Sequence, residues 1–438
     1  MRIRLLVILG LGATLGSLSA GDWPQWRGPN RDGRGKETGL LAEWPKGGPT
    51  SAWMIDTIGV GYSSPAVVGD RIYILGGLDG KEVAFALDAT TGKIVWQTPF
   101  GPLFKNAWGD GPRSTPTVVG EDVVALGAQG VLACFDRTNG AIRWSLDLRK
   151  DLGGIVMRGN FVDMDWGYSE SPIVDGNRVI VAPGGKGGTV AAIDRKTGKI
   201  AWRTSGLTHA ASYASSVIFE FGGVRAYVVF TGGVEISSGG LMKDMPKLIG
   251  VKADDGTILW DVKPNYTTSV IAPTPVLSGD SIFVTCGYAA GCSLFKLTAT
   301  KDTFTAKTVY ANKSMKNYHG GVVLFDGVIY GHYELVGWVA VELASGKLLW
   351  EQKNRTNSGA MAEANGLLYA LGDDARVFLL KPDRDGWEST GEFDLPGKSK
   401  ARTANGRITT CSHPVVANGR LYLRDQERLY CYDVTARP

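Results

Sequence analysis

Apolar and polar positions along this chain come in short bursts. Runs of three to seven apolar residues rich in Val, Ile, Tyr and Phe alternate with turns built on Gly, Asp and Asn, as in Ala66-Val-Val-Gly69-Asp70, Arg71-Ile-Tyr-Ile-Leu75 and Val83-Ala-Phe-Ala-Leu87. Runs of this length without a 3.6-residue period predict β-strands joined by tight turns. Long amphipathic helical periods are absent, so the chain reads as all-β.

The bursts repeat. Residues 86–96, 134–144, 192–202, 250–260 and 340–350 each place a small residue, an acidic or polar position, a Gly turn and a Trp four residues after that Gly. Lead-ins such as Ser64-Pro65, Thr115-Pro116, Ser171-Pro172 and Thr274-Pro275 open each unit. Two further strands follow, and the Gly turn hands over to a fourth that carries the Trp. Four antiparallel strands in units of roughly fifty residues predict the blades of a propeller. The step from Trp260 to Trp350 is about twice the others, which predicts a degenerate blade running from Pro275 through Leu294 to Tyr310. Two more units begin near Ala364 and Pro414, giving eight. The last has only three strands before the chain ends, whereas Ser51-Ala-Trp53-Met-Ile-Asp-Thr57 looks like an unattached fourth strand. The expectation is an eight-bladed β-propeller whose N-terminal strand completes the final blade and removes the open sheet edges.

Composition refines this picture. Apolar residues make up 44% of 438, enough for an extended core, and the 60 glycines match the density of turns. Residues 1–20 carry Arg2 and Arg4, an apolar run from Leu5 to Leu18 and a small-residue end at Ala20, the shape of a secretory signal peptide too short to span a bilayer. The expected organisation is residues 1–20 as signal, 21–50 as an N-terminal strap and 51–438 as one propeller, in a periplasmic or secreted monomer. Without Arg2 and Arg4 the formal charge of +4 falls to +2, which argues against nucleic acid as a partner. Among the five cysteines, Cys286 and Cys292 flank a hairpin loop, where a bridge and two free thiols are equally consistent with the sequence. Cys134, Cys411 and Cys431 sit in apolar patterns and read as small core residues.

The Ala-x-Asp-x-x-Thr-Gly-x-x-x-Trp turn, complete at residues 86–96 and 192–202, resembles the tryptophan-docking motif of the eight-bladed, quinoprotein alcohol dehydrogenase-like propellers with PQQ-like repeats. Asp22-Trp-Pro-Gln-Trp-Arg-Gly-Pro-Asn-Arg-Asp32, Trp166-Gly-Tyr-Ser-Glu-Ser-Pro172 and Met315-Lys-Asn317-Tyr-His319 are similar to exported PQQ-like proteins of environmental bacteria. The resemblance implies that the Trp packs between blades. It covers both enzymes and the outer-membrane assembly scaffold BamB, so it does not choose an activity.

A residue recurring at a fixed offset in every blade is a packing residue, and Asp88, Asp136 and Asp194 are expected to cap their own turns. Function is sought where the repeats differ, on the loops leading into the innermost strands. The departures there are Arg113, Glu170, Tyr213, Asn317, His319 and His413, with Trp166 beside them. These polar and aromatic groups converging on one axis form a candidate ligand site, with a pairing of Arg113 and Glu170 as the plainer alternative. Dehydrogenases of the family hold PQQ with a vicinal disulfide, a stacking Trp, a Ca²⁺ bound by Glu and Asn, and a catalytic Asp. This chain has no Cys-Cys pair. Glu170 and Asn317 are its only candidates for the Ca²⁺, and Asp163 and Asp165 its only candidate bases. The favoured expectation is a binding or scaffold propeller without a cofactor that takes a protein, peptide or glycan at the channel mouth. The alternative is a PQQ-dependent alcohol or sugar dehydrogenase with an atypical site.

Overall fold

The computed structural model describes residues 21–158, 165–235, 242–264, 271–300, 303–353 and 358–437. The signal-like segment and Asp163 lie outside them. Eight four-stranded antiparallel sheets form a propeller ring. The innermost strands are Ala66–Val68, Thr117–Val119, Ile173–Asp175, Val217–Phe221, Val276–Ser278, Val322–Phe325, Gly359–Ala364 and Val415–Ala417, opening blades 1 to 8 in that order. Blade 4 carries an inserted hairpin, Val234–Glu235 with Met242–Asp244, between its second and third strands. Helix among the described residues is confined to Leu148–Leu152 and Lys400–Ala404, and neither is long and apolar enough to cross a membrane.

The degenerate fifth blade is present as Val276–Ser278, Ser281–Cys286, Gly291–Ala299 and Phe304–Asn312. Ring closure follows the expected route: Thr50–Ile55 pairs antiparallel with Arg428–Asp433, with Trp53 opposite Cys431 and Ile55 opposite Leu429. In every blade the ladder between the third and fourth strands shifts register at the docking position, for example between Ala86 and Leu87 and between Cys134 and Phe135. This bulge turns the aromatic side chain out of its own sheet toward the next blade.

There the indole N–H finds a carbonyl. Trp53 donates to Ala89, Trp96 to Arg137, Trp144 to Arg195, Trp202 to Ala253 and Trp350 to Asp383, at 2.7–3.1 Å. Tyr310 supplies the missing aromatic of blade 5 and donates to Leu343 at 2.8 Å. In blade 7 the position is Gly391, and Trp44 from the N-terminal segment packs over it, edge-on to Phe393. Each turn Gly lies directly under its neighbour's ring: a Cβ at Gly140 would come within 2.6 Å of Trp96, and one at Gly198 within 2.8 Å of Trp144. Asp88, Asp136 and Asp194 accept from backbone N–H groups two and three residues on, capping their own turns as expected.

One open cysteine question is settled and one cysteine expectation is corrected. Cys292 pairs with Thr285 and Cys286 with Gly291, so the two thiols stand at successive ladder positions and point to opposite faces of the sheet. They belong to different apolar clusters and form no disulfide with each other, since the period of two in a strand keeps their sulfurs apart. Cys411 is not in a strand; it sits on the loop before Val415–Ala417, half-buried, with φ of +44°.

Candidate functional site

Antiparallel blades give the ring two unlike faces. The lead-in loops and the hairpins between second and third strands open on one face. The docking turns open on the other, together with the turns between first and second strands. Asp22 reaches this second face, accepting from the N–H of Gly69, and Glu37 accepts there from Asn418 and Gly419.

Between these anchors, residues 22–35 touch every blade. Trp23 exchanges backbone hydrogen bonds with Val67 at 2.8 Å, and the Pro24 carbonyl accepts from Val118. Arg31 donates to the carbonyls of Ser171, Pro172 and Ser216 in blades 3 and 4. The Trp26 indole donates to Thr274 at 2.9 Å, and Arg27 reaches the Val322 carbonyl. Gly35 and Glu363 bond through their backbones, Arg34 pairs with the Glu363 carboxylate at 2.8 Å, and the Trp26 ring lies 4.3 Å from that of His413. These residues therefore plug the axis, leaving Arg27 and Arg31 fully desolvated. Burial lowers their guanidinium pKa values to about 10 and about 9.

Most of the polar groups singled out from the sequence are spent inside the protein. Glu170 is buried, accepts from the Ala182 N–H at 2.5 Å, and faces Arg31 rather than Arg113. Burial raises its carboxyl to about 7, against the pull of that hydrogen bond and of Arg31. Arg113 holds its own loop, donating to the carbonyls of Gly109 and Gly111 and lying over the rings of Phe104 and Tyr62. The expected alternative pairing of Arg113 with Glu170 is thus not made. Tyr213 donates to the Met157 carbonyl and packs edge-on to Trp166, which in turn meets Trp108. Asn317 is fully buried and donates to the carbonyls of Gly321 and His332 at 3.0 Å. His413 is buried, and desolvation together with Arg27 holds it well below the usual imidazole range.

His319 differs, keeping a quarter of its side chain exposed. Its Nε2 lies 3.3 Å from the Cys411 sulfur and 3.9 Å from Oδ2 of Asp373. Sequence reading missed both partners. Asp373 follows an ordinary strand, Cys411 resembled a core residue, and only the stacking of blades 6, 7 and 8 brings the three together.

The quinone cofactor of the fold family is not supported by these residues. Glu170 accepts from the Ala182 N–H and is under the electrostatic pull of the Arg31 guanidinium, while Asn317 gives both amide hydrogens to backbone carbonyls and its Oδ1, the atom a Ca²⁺ would take, has no hydrogen-bond partner. Asp165, the candidate base within the described residues, is paired with Arg149 at 3.1 Å and accepts from Gly167.

Comparison with known proteins accords with the architecture. The family model described as outer membrane protein assembly factor BamB matches residues 44–164 and 79–338, together more than half of the chain. BamB of Yersinia pestis is 23% identical over 230 residues, 44% of this chain and 52% of that protein. The chain spans about half the length of the curated relatives it matches. Among solved structures, BamB from Moraxella catarrhalis superposes with a TM-score of 0.56 at 15% identity, covering 89% of this chain and 98% of that one. The quinohemoprotein alcohol dehydrogenase of Comamonas testosteroni reaches 0.64 at 11% identity, covering 95% and 81%. Likenesses at such identity concern the fold alone. From the family match and the eight docked blades, the chain belongs to the BamB family of PQQ-repeat β-propellers.

Proposed function

We propose that this protein is an exported, non-catalytic binding or scaffold propeller that receives a protein partner on its lead-in face. The observation that carries the reading is the contrast between the axis and that face. At the axis, residues 22–35 fill the channel and most of the candidate polar groups are bonded internally. On the lead-in face, loops and hairpins present Trp108, Ile155, Tyr288 and Leu335 to solvent, with Leu335 80% exposed at a hairpin tip. Large apolar side chains held out on loops, beside a channel filled by residues 22–35, favour contact with a macromolecule over capture of a small one. The family name, outer membrane protein assembly factor, makes a protein the natural occupant.

A photo-crosslinking residue at Leu335, compared with one at the exposed rim residue Met54, tests this in intact cells. Discrete adducts from position 335 and none from 54 are expected; equal labelling from both removes the face-specific reading. The dehydrogenase alternative is tested by adding PQQ with Ca²⁺ to the purified protein. A rise in its melting temperature at micromolar quinone would overturn the non-catalytic assignment.

A further inference from the structure

Three consecutive blades each contribute one side chain to a single point on the lead-in face. His319 comes from the loop leading into blade 6, Asp373 from the hairpin after Leu367–Gly372 of blade 7, and Cys411 from the loop leading into blade 8. The Cys411 sulfur is 3.3 Å from Nε2 of His319 and 3.9 Å from Oδ1 of Asp373, and Nε2 is 3.9 Å from Oδ2. All three ligand atoms lie within 4.8 Å of one another.

Two chemistries use these residue types. A nucleophilic relay needs the thiol and the carboxylate on opposite nitrogens of the ring, so that a proton taken at one is balanced at the other. Here both face Nε2, while Nδ1 is buried with no hydrogen-bond partner. The ring cannot link them, and three donors facing one point make a ligand set.

Asp373 supplies an independent sign. Its side chain is more than nine-tenths buried, and the only hydrogen bond to its carboxylate among the described residues is the long one from the thiol. The nearby Arg402 is already committed to Asp425 at 2.9 Å. A buried carboxylate so poorly satisfied is costly unless a cation completes it. With ordinary Zn–S, Zn–N and Zn–O bonds, a tetrahedral ion would set these donors ~3.4–3.6 Å apart. The thiol lies nearest Oδ1 and the imidazole nearest Oδ2, and the three ligand atoms lie within 4.8 Å of one another, so closing on one ion requires the carboxylate to turn and the donors to draw together by up to about 1 Å.

We propose that His319, Asp373 and Cys411 bind one Zn²⁺ through Nε2, a carboxylate oxygen and Sγ, leaving the fourth coordination position open on the lead-in face. A thiolate excludes Ca²⁺ and Mg²⁺, and one sulfur with one imidazole and one carboxylate suits Zn²⁺ better than Cu⁺. On binding, the S–H bond breaks, the sulfur pair goes to zinc and the proton leaves to solvent. The Thr409 hydroxyl, 2.6 Å from the sulfur, is placed to donate to the thiolate.

The test uses the whole chain, stripped with chelator and given Zn²⁺ alone. Native mass spectrometry should find one zinc per chain, and Co²⁺ in its place should give an intense near-ultraviolet sulfur-to-metal band. The other four cysteines are buried, so alkylation of the native metal-free protein should mark Cys411, and Zn²⁺ should block it. Cys411→Ser and Asp373→Asn should each weaken zinc binding at least ~100-fold, whereas Cys134→Ala leaves it unchanged. No zinc retained at micromolar concentration, a cobalt spectrum without the sulfur band, or alkylation indifferent to zinc overturns the proposal. The alkylation experiment needs no variant, so it stands even if a substituted chain fails to fold.

Discussion

At Gly140 two requirements meet in one residue. Its φ is +75°, where a Cβ is strained, and the volume a Cβ would take is filled by the Trp96 ring of the preceding blade. Gly69 shares the positive φ, at +59°, but has nothing within 4 Å of a Cβ. Gly69→Ala should therefore cost about 1 kcal/mol from backbone strain alone. Gly140→Ala should cost about 2–4 kcal/mol, because overpacking adds to the strain. Denaturant midpoints of the two variants read the difference, and equal losses would show that the docked ring yields freely. The docking Trp, its Gly and the capping Asp were legible in the sequence because they recur at fixed spacing. Cys411 and Asp373 were not: each lies in a loop unlike its counterparts in other blades. Their meeting with His319 depends on how three blades stack, which no local pattern encodes.

Among the elements, the segment of residues 22–35 departs most from the repeat. It has no period of two and belongs to no blade, so its sequence marked it only as something preceding the propeller. Trp44 was similarly hidden, since nothing local says that it covers Gly391 in blade 7. The strand Thr50–Ile55, by contrast, was legible because it copies the Trp-bearing fourth strand of blades 1 to 4 and 6. The axial segment sets the electrostatics of the channel through Arg31, which faces Glu170 in a desolvated setting. Burial outweighs that attraction and raises the Glu170 carboxyl from 4.5 to about 7. A raised carboxyl favours the folded state while protonated, so its contribution is complete below about pH 4.5 and is lost as pH rises through 7. Glu170→Gln keeps an oxygen to accept from Ala182 and removes the titration. The stability of the wild type relative to this variant should fall by about 3 kcal/mol between pH 4.5 and pH 7. Urea unfolding at a series of pH values measures it; a flat difference would mean that Glu170 is ionised throughout in the folded protein.

For the whole molecule, closure depends on one strand that is remote in sequence from its partners. Arg428–Asp433 would be an unpaired edge without Thr50–Ile55, and the Trp53 indole that docks on Ala89 ties blade 8 to blade 1 from the same strand. The residues just before it fill the axis, so residues 21–57 supply both the closing strand and the plug. A chain starting at Ile58 should keep its other seven blades yet expose a sheet edge and the desolvated channel walls together. The expected result is a lower melting temperature and concentration-dependent association, read by calorimetry and light scattering. A synthetic peptide of residues 21–57 added in trans should restore the monomer and raise the melting temperature, since binding only the folded state stabilises it in proportion to the logarithm of peptide concentration. The same peptide carrying Trp53→Ala retains the backbone ladder but loses the hydrogen bond to Ala89 and the docked ring. It should bind more weakly by about 2–4 kcal/mol, the range for truncating a large aromatic at a packed interface. If the shortened chain is as stable and monomeric as the parent, closure by this strand does not hold the ring together. In that case the seven remaining inter-blade contacts alone suffice.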